Sequence, residues 1–172
     1  MRLKILALAI LALAVLSVAV AGIVAADDKS RFKTSLIGYE ETPAVSSAGS
    51  GEFTATIDEE NQTIHYTLRF TNLNGNVLFA HVHFGQRGVA GGVAAFLCGG
   101  GSKPAPCVPG TTTTGTITPA DVIGPTGQGI APGEWNELVA AIRAGVAYAN
   151  VHSTTQPGGE IRGQINGNDQ RD

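Results

Sequence analysis

Two of the chain's four histidines stand at Ala80-His81-Val82-His83-Phe84-Gly85, one residue apart. On an extended strand alternate side chains share a face, so both imidazoles project to one side about 7 Å apart along the chain. One ion is within reach of both, but zinc and copper sites usually recruit at least three protein ligands. His152, which ends Tyr148-Ala149-Asn150-Val151-His152, supplies the third if its strand lies beside that of His81. His65 is a further candidate ligand whose participation depends on strand order. Neutral imidazoles with no Cys or Met beside them suit one Zn(II) or Cu(II) ion better than Cu(I). The competing reading is a pair of strand histidines, one of them hydrogen-bonded to a backbone carbonyl.

Glu160 and Arg162 share a face of the run Glu160-Ile161-Arg162-Gly163-Gln164-Ile165. Two roles are open to them. They can form a solvent-facing ion pair, or Glu160 can accept a hydrogen bond from His152 and orient it behind the metal. Cys98 and Cys107 flank a Gly- and Pro-rich stretch, and pairing them would staple that loop in an oxidising compartment. Thiolate ligation is disfavoured, because no second Cys pair or C-x-x-C spacing accompanies them. No G-x-S-x-G elbow and no phosphate-binding glycine loop is present, so no catalytic residue is assigned.

The elements that must position these groups read as strands. Short apolar and Thr-rich runs are separated by Gly, Pro, Asn and Asp, the punctuation of an antiparallel sandwich or barrel. Phe53, Ala55 and Ile57 alternate with polar neighbours, as do Ile64, Tyr66, Leu68 and Phe70, which predicts two half-buried strands joined by a turn at 58–62. Further strands are expected at 32–37, 77–84, 93–97, 112–117, 146–151 and 160–165. Between Glu134 and Ala144 the period changes: Trp135, Leu138, Val139 and Ile142 fall at helical spacing, and Gly145 stands where a C-cap wants glycine. The polar stretch from Asn166 to Asp172 has no apolar period and reads as a disordered tail.

Arg2 and Lys4 precede an uncharged apolar run from Ile5 to Val24, and charges resume at Asp27. With Val24 and Ala26 as the small residues of a cleavage site, residues 1–26 read as a secretory signal; left uncleaved, a run of that length would anchor the chain in a membrane. Residues 27–31 form a short linker, and the rest of the chain suffices for one domain. Loss of the leader removes two basic residues and no acidic one, moving the formal net charge of −3 to −5. Without a clustered basic surface, nucleic acid is excluded as a partner.

Four segments carry a family resemblance: Leu36-Ile37-Gly38-Tyr39-Glu40-Glu41-Thr42-Pro43, Ala80-His81-Val82-His83-Phe84-Gly85, Gly145-Val146-Ala147-Tyr148-Ala149-Asn150-Val151-His152-Ser153, and Gly158-Gly159-Glu160-Ile161-Arg162-Gly163-Gln164-Ile165. In order and spacing they resemble the CHRD (chordin) domain over 32–166. The resemblance implies an exported domain, but not developmental signalling, because chordin's growth-factor binding is associated with its other, cysteine-rich modules. A second, local similarity links His81-Val82-His83-Phe84-Gly85 to the copper-ligand strand of Cu,Zn superoxide dismutases. Those enzymes also need a bridging histidine and further zinc ligands, so four histidines in all argue against a two-metal dismutase and still allow a single-ion site.

The expectation is therefore an all-β antiparallel sandwich or Greek-key barrel, immunoglobulin-like or superoxide-dismutase-like, with one short helix. It is secreted or displayed at the cell surface and holds one Cu or Zn ion at His81, His83 and His152. The rival is a non-catalytic module that binds an extracellular protein or polymer through its loops. A copper-dependent redox enzyme ranks last, since it needs an open coordination position and a substrate path.

Overall fold

The computed structural model describes residues 30–167. The expected leader, most of the linker and residues 168–172 lie outside them. The strands are β1 (Arg31–Ile37), β2 (Ser50–Asp58), β3 (Thr63–Thr71), β4 (Val77–Phe84), β5 (Gly92–Cys98), β6 (Thr112–Ile117), β7 (Ala147–Ser153), β8 (Ile161–Gln164) and β9 (Asn166–Gly167), with one helix, α1 (Trp135–Arg143), before β7. They form a single antiparallel sheet in the order β5-β4-β7-β8-β1-β2-β3-β6, nearly closed into a barrel. The expected all-β class is the one observed.

The period-two pattern sets the register of the β2–β3 hairpin. Phe53, Ala55 and Ile57 lie opposite Leu68, Tyr66 and Ile64, and all six are buried. Each large side chain among them contributes about 1.5–3 kcal/mol on leaving water. The turn is held by Asp58, whose carboxylate accepts from the Asn61 backbone N–H at 3.0 Å and its side-chain amide at 2.8 Å.

The edge strands β5 and β6 do not pair; a side chain from β3 bridges the seam. The buried Tyr66 hydroxyl donates to the Leu97 carbonyl of β5 at 2.6 Å. It reaches across β6 only because Gly115 lies opposite Tyr66: a Cβ there would come within 2.2 Å of the hydroxyl. Tyr66→Phe strands the Leu97 carbonyl and should lower stability by about 1–3 kcal/mol, read from urea denaturation midpoints.

Helix α1 buries Trp135, Leu138, Val139, Ala141 and Ile142, the stripe expected from the sequence plus Ala141. It stops in a Schellman motif: Val146 N–H donates to the Ala141 carbonyl, Gly145 N–H donates to that of Ile142, and Gly145 has φ 68°. One expectation is corrected at the C-terminus. Asn166 and Gly167, read as the start of the tail, pair with Lys33 and Phe32 as β9. A backbone ladder needs no apolar period, so the pairing left no mark in the composition.

The strand β7 is buried at every position. Ala147, Ala149 and Val151 face the barrel core, while Tyr148, Asn150 and His152 face outward beneath covering loops. Around β7 the barrel thus has a second, polar layer on its outer face.

Candidate metal centre

His81 and His83 sit on β4, which pairs with β7 so that His81 opposes Asn150, His83 opposes Tyr148 and Phe79 opposes His152. Alternation sends Ala80 and Val82 into the core and the two histidines to the outer face. The register of β4 against β5 shifts between Ala80 and His81 and again between Val82 and His83, and such irregularities re-aim neighbouring side chains.

The three imidazoles converge. One ligand nitrogen from each of His81, His83 and His152 lies within 4.8 Å of the others, and all three residues are at most 7% exposed. Ring centroids are 4.9 Å apart for His81 and His152, 5.3 Å for His81 and His83, and 5.7 Å for His83 and His152. Phe79 and Phe96 wall the cluster, with centroids 4.8 and 4.3 Å from that of His81. The Cys98–Cys107 disulfide closes the glycine-rich loop onto Phe96, and at Gly101 an added Cβ would lie 2.5 Å from that ring. The staple therefore also shapes a wall of the site.

Hydrogen bonds set the tautomers. His83 Nδ1 faces the Gly91 carbonyl at 3.0 Å, and His152 Nδ1 faces the Pro157 carbonyl at 3.0 Å. A carbonyl only accepts, so both rings carry their proton on Nδ1 and present an Nε2 lone pair. His152 Nε2 then accepts from His81 Nδ1 at 3.2 Å, which leaves His81 Nε2 unprotonated. His81 Nε2 and His83 Nε2 are buried and have no partner. Burial pushes the His81 imidazole down to about 3, helped by the neighbouring His152 and His83. Burial likewise pushes His83 down to about 4 and lowers His152, in both cases against the carbonyl each ring donates to. The rings are thus neutral at pH 7, the form that binds metals.

Sequence reasoning placed the other candidates less well. His65 lies on β3 at the far side of the sheet, exposed, with Nδ1 3.1 Å from the Thr116 hydroxyl; it is apart from the cluster. Glu160 and Arg162 form neither of the two expected arrangements: they make no ion pair with each other, and Glu160 makes no hydrogen bond to His152, whose Nδ1 faces Pro157 instead. Glu160 is fully buried and accepts from the Ser47 hydroxyl and the Asn74 N–H, each at 2.6 Å, and from the Ser153 hydroxyl. It ties two covering segments to the end of β7. Arg162 is 2% exposed, lies 3.5 Å above the Tyr148 ring and donates to the Gln86 and Val89 carbonyls. Tyr148 in turn stacks on His83 at 4.8 Å and 7°, so a cation, a phenol and an imidazole form one column.

Tyr148 and Asn150 were not singled out from the sequence. The signal was present, since both alternate with His152 on β7. Glu41 is the other residue missed. It accepts from Asn150 Nδ2 at 2.5 Å, and burial pushes its carboxyl up to about 7 despite the Asn150 amide and the Arg162 cation.

With this geometry in hand, the profile of the CHRD domain matches residues 32–165. This chain belongs to the CHRD domain family. The matched span of the CHRD domain includes every residue of the three-histidine cluster and its column of stacked neighbours. No curated protein and no solved structure matched.

Proposed function

We propose that this CHRD domain is an exported, non-catalytic metal-binding module that holds one Zn(II) or Cu(II) ion at His81, His83 and His152. The observation that carries the reading is the pair of buried, partnerless Nε2 atoms in a cluster of nitrogens within 4.8 Å. A buried acceptor without a partner costs about 1–3 kcal/mol, and an ion would satisfy both while using the tautomers already fixed by Gly91 and Pro157. The depth of the site and its aromatic walls favour a held ion over an open catalytic one. Export is supported by the disulfide and by the family, whose domains are typically extracellular.

Calorimetric titration of the metal-stripped protein with Zn(II) and with Cu(II) tests the assignment. One-to-one binding is expected, lost in a His81→Ala, His83→Ala double variant. Equal affinity in the two proteins refutes it.

A second reading has its own support. Tyr39 is 71% exposed and Val89 43%, on two loops joined by the Glu40–Arg87 ion pair at 2.9 Å. These side chains offer an apolar contact to an extracellular protein or polymer, a role that requires no metal.

A further inference from the structure

Among the described residues, four buried side-chain polar atoms have no hydrogen-bond partner: His81 Nε2, His83 Nε2, Asn150 Oδ1 and Trp135 Nε1. Three of these four belong to the outward faces of the paired strands β4 and β7. Asn150 is 2% exposed, stands directly opposite His81 in the ladder, and is separated from His152 by one residue. Its side chain is therefore a neighbour of the imidazole cluster on the same face.

The orientation of the amide is fixed by what surrounds Nδ2. That nitrogen lies 2.5 Å from Glu41 Oε1 and 3.4 Å from the Ile161 carbonyl of β8, both acceptors. A flipped amide would set its oxygen against those two oxygens, so the nitrogen faces β8. In a planar amide the oxygen then lies on the side away from β8, and β7 has β4 with its histidines as its neighbour on that side. A buried carbonyl without a donor loses its hydration with nothing in return, and β4 offers it no donor.

We propose that Asn150 is the fourth donor to the ion, binding through its amide oxygen beside the three imidazoles. This rests on the three-histidine reading above. Three nitrogens alone leave a Zn(II) or Cu(II) ion short of its usual four ligands, and a neutral oxygen suits these divalent ions better than Cu(I). Glu41 acts behind the amide. By accepting from Nδ2 it holds the oxygen toward the cluster, as carboxylates do behind ligands in other metal sites.

The test follows side-chain amide and imidazole NMR signals of the ¹⁵N-labelled protein during Zn(II) titration, alongside Zn(II) affinities of wild type and Asn150→Leu. Leucine keeps the branched shape and removes both polar atoms. Saturable shifts of the Asn150 amide pair in step with the histidine signals, and Zn(II) binding weakened about 10- to 100-fold in the variant, are expected. Should Asn150→Leu fail to fold, Glu41→Gln, which still accepts through its amide oxygen, serves as the folded companion: its Asn150 pair should shift as in wild type. Histidine signals that move while the Asn150 pair stays still overturn the proposal and leave the three-histidine site intact. Unchanged affinity in a folded Asn150→Leu protein does the same. If the histidine signals never move, the metal reading itself fails and this one falls with it.

Discussion

Zn(II) added to the metal-stripped domain at about a hundredfold above its dissociation constant is expected to raise folding stability by roughly 2.7 kcal/mol. For a domain of this size that is on the order of 10 °C in melting temperature. The effect arises from where the ligands are. His81 and His83 come from β4 and His152 from β7, strands far apart in the chain, so only the folded sheet brings the three nitrogens together. Little reorganisation is needed, because His81 and His83 already have unpartnered Nε2 atoms and Gly91 and Pro157 fix two of the rings; His152 Nε2 has only to exchange its hydrogen bond from His81 Nδ1 for the ion. The His81→Ala, His83→Ala protein will be less stable in itself, since it loses two buried rings packed against Phe79, Phe96 and Tyr148. Comparing each protein with and without metal cancels that cost. A chelator should reverse the rise in wild type and leave the double variant's melting temperature unchanged. A variant stabilised as much as wild type would place the binding elsewhere.

How much of this was legible in the sequence depends on the face of the sheet. The core face announces itself: Phe53, Ala55 and Ile57 alternate with polar residues, and the structure buries them as the period requires. The His-x-His pair is readable for the same reason, since period two puts both rings on one side. His152 joined them only if β7 lay next to β4, and strand order rests on long-range packing that no local pattern encodes. For Glu160 and Arg162 the sequence offers a solvent-facing ion pair or a place behind His152, the first because a polar residue on the outer face of a strand ordinarily meets water. Here the loops around Ser47, Asn74 and Gln86 to Val89 fold over that face and supply the hydroxyls, amides and carbonyls that satisfy both charged groups. A covering loop has no periodicity of its own, so the burial of the outer layer was hidden while its membership, Tyr148, Asn150 and His152 in alternation, was in plain view.

In metal-free buffer, stability should fall as the pH drops below about 6.5, and the fall should trace largely to the same histidines. In the unfolded chain each imidazole takes up a proton near 6.5. In the folded protein His81 stays neutral down to about 3 and His83 down to about 4. Across that window the unfolded state binds more protons than the folded one, so unfolding free energy rises with pH and is lost on acidification. Each such histidine contributes a slope of about 1.4 kcal/mol per pH unit. Glu41 works in the opposite sense: with its carboxyl raised to about 7, the folded state binds the extra proton between about 4.5 and 7, which offsets one histidine over that range. Urea denaturation at pH 7, 6 and 5 measures the balance. Replacing His83 with glutamine, which cannot titrate, should flatten the dependence by about one histidine's slope, whereas Glu41→Gln should steepen it by a similar amount. Three parallel curves would mean that these groups titrate alike in the folded and unfolded chains, contrary to their burial.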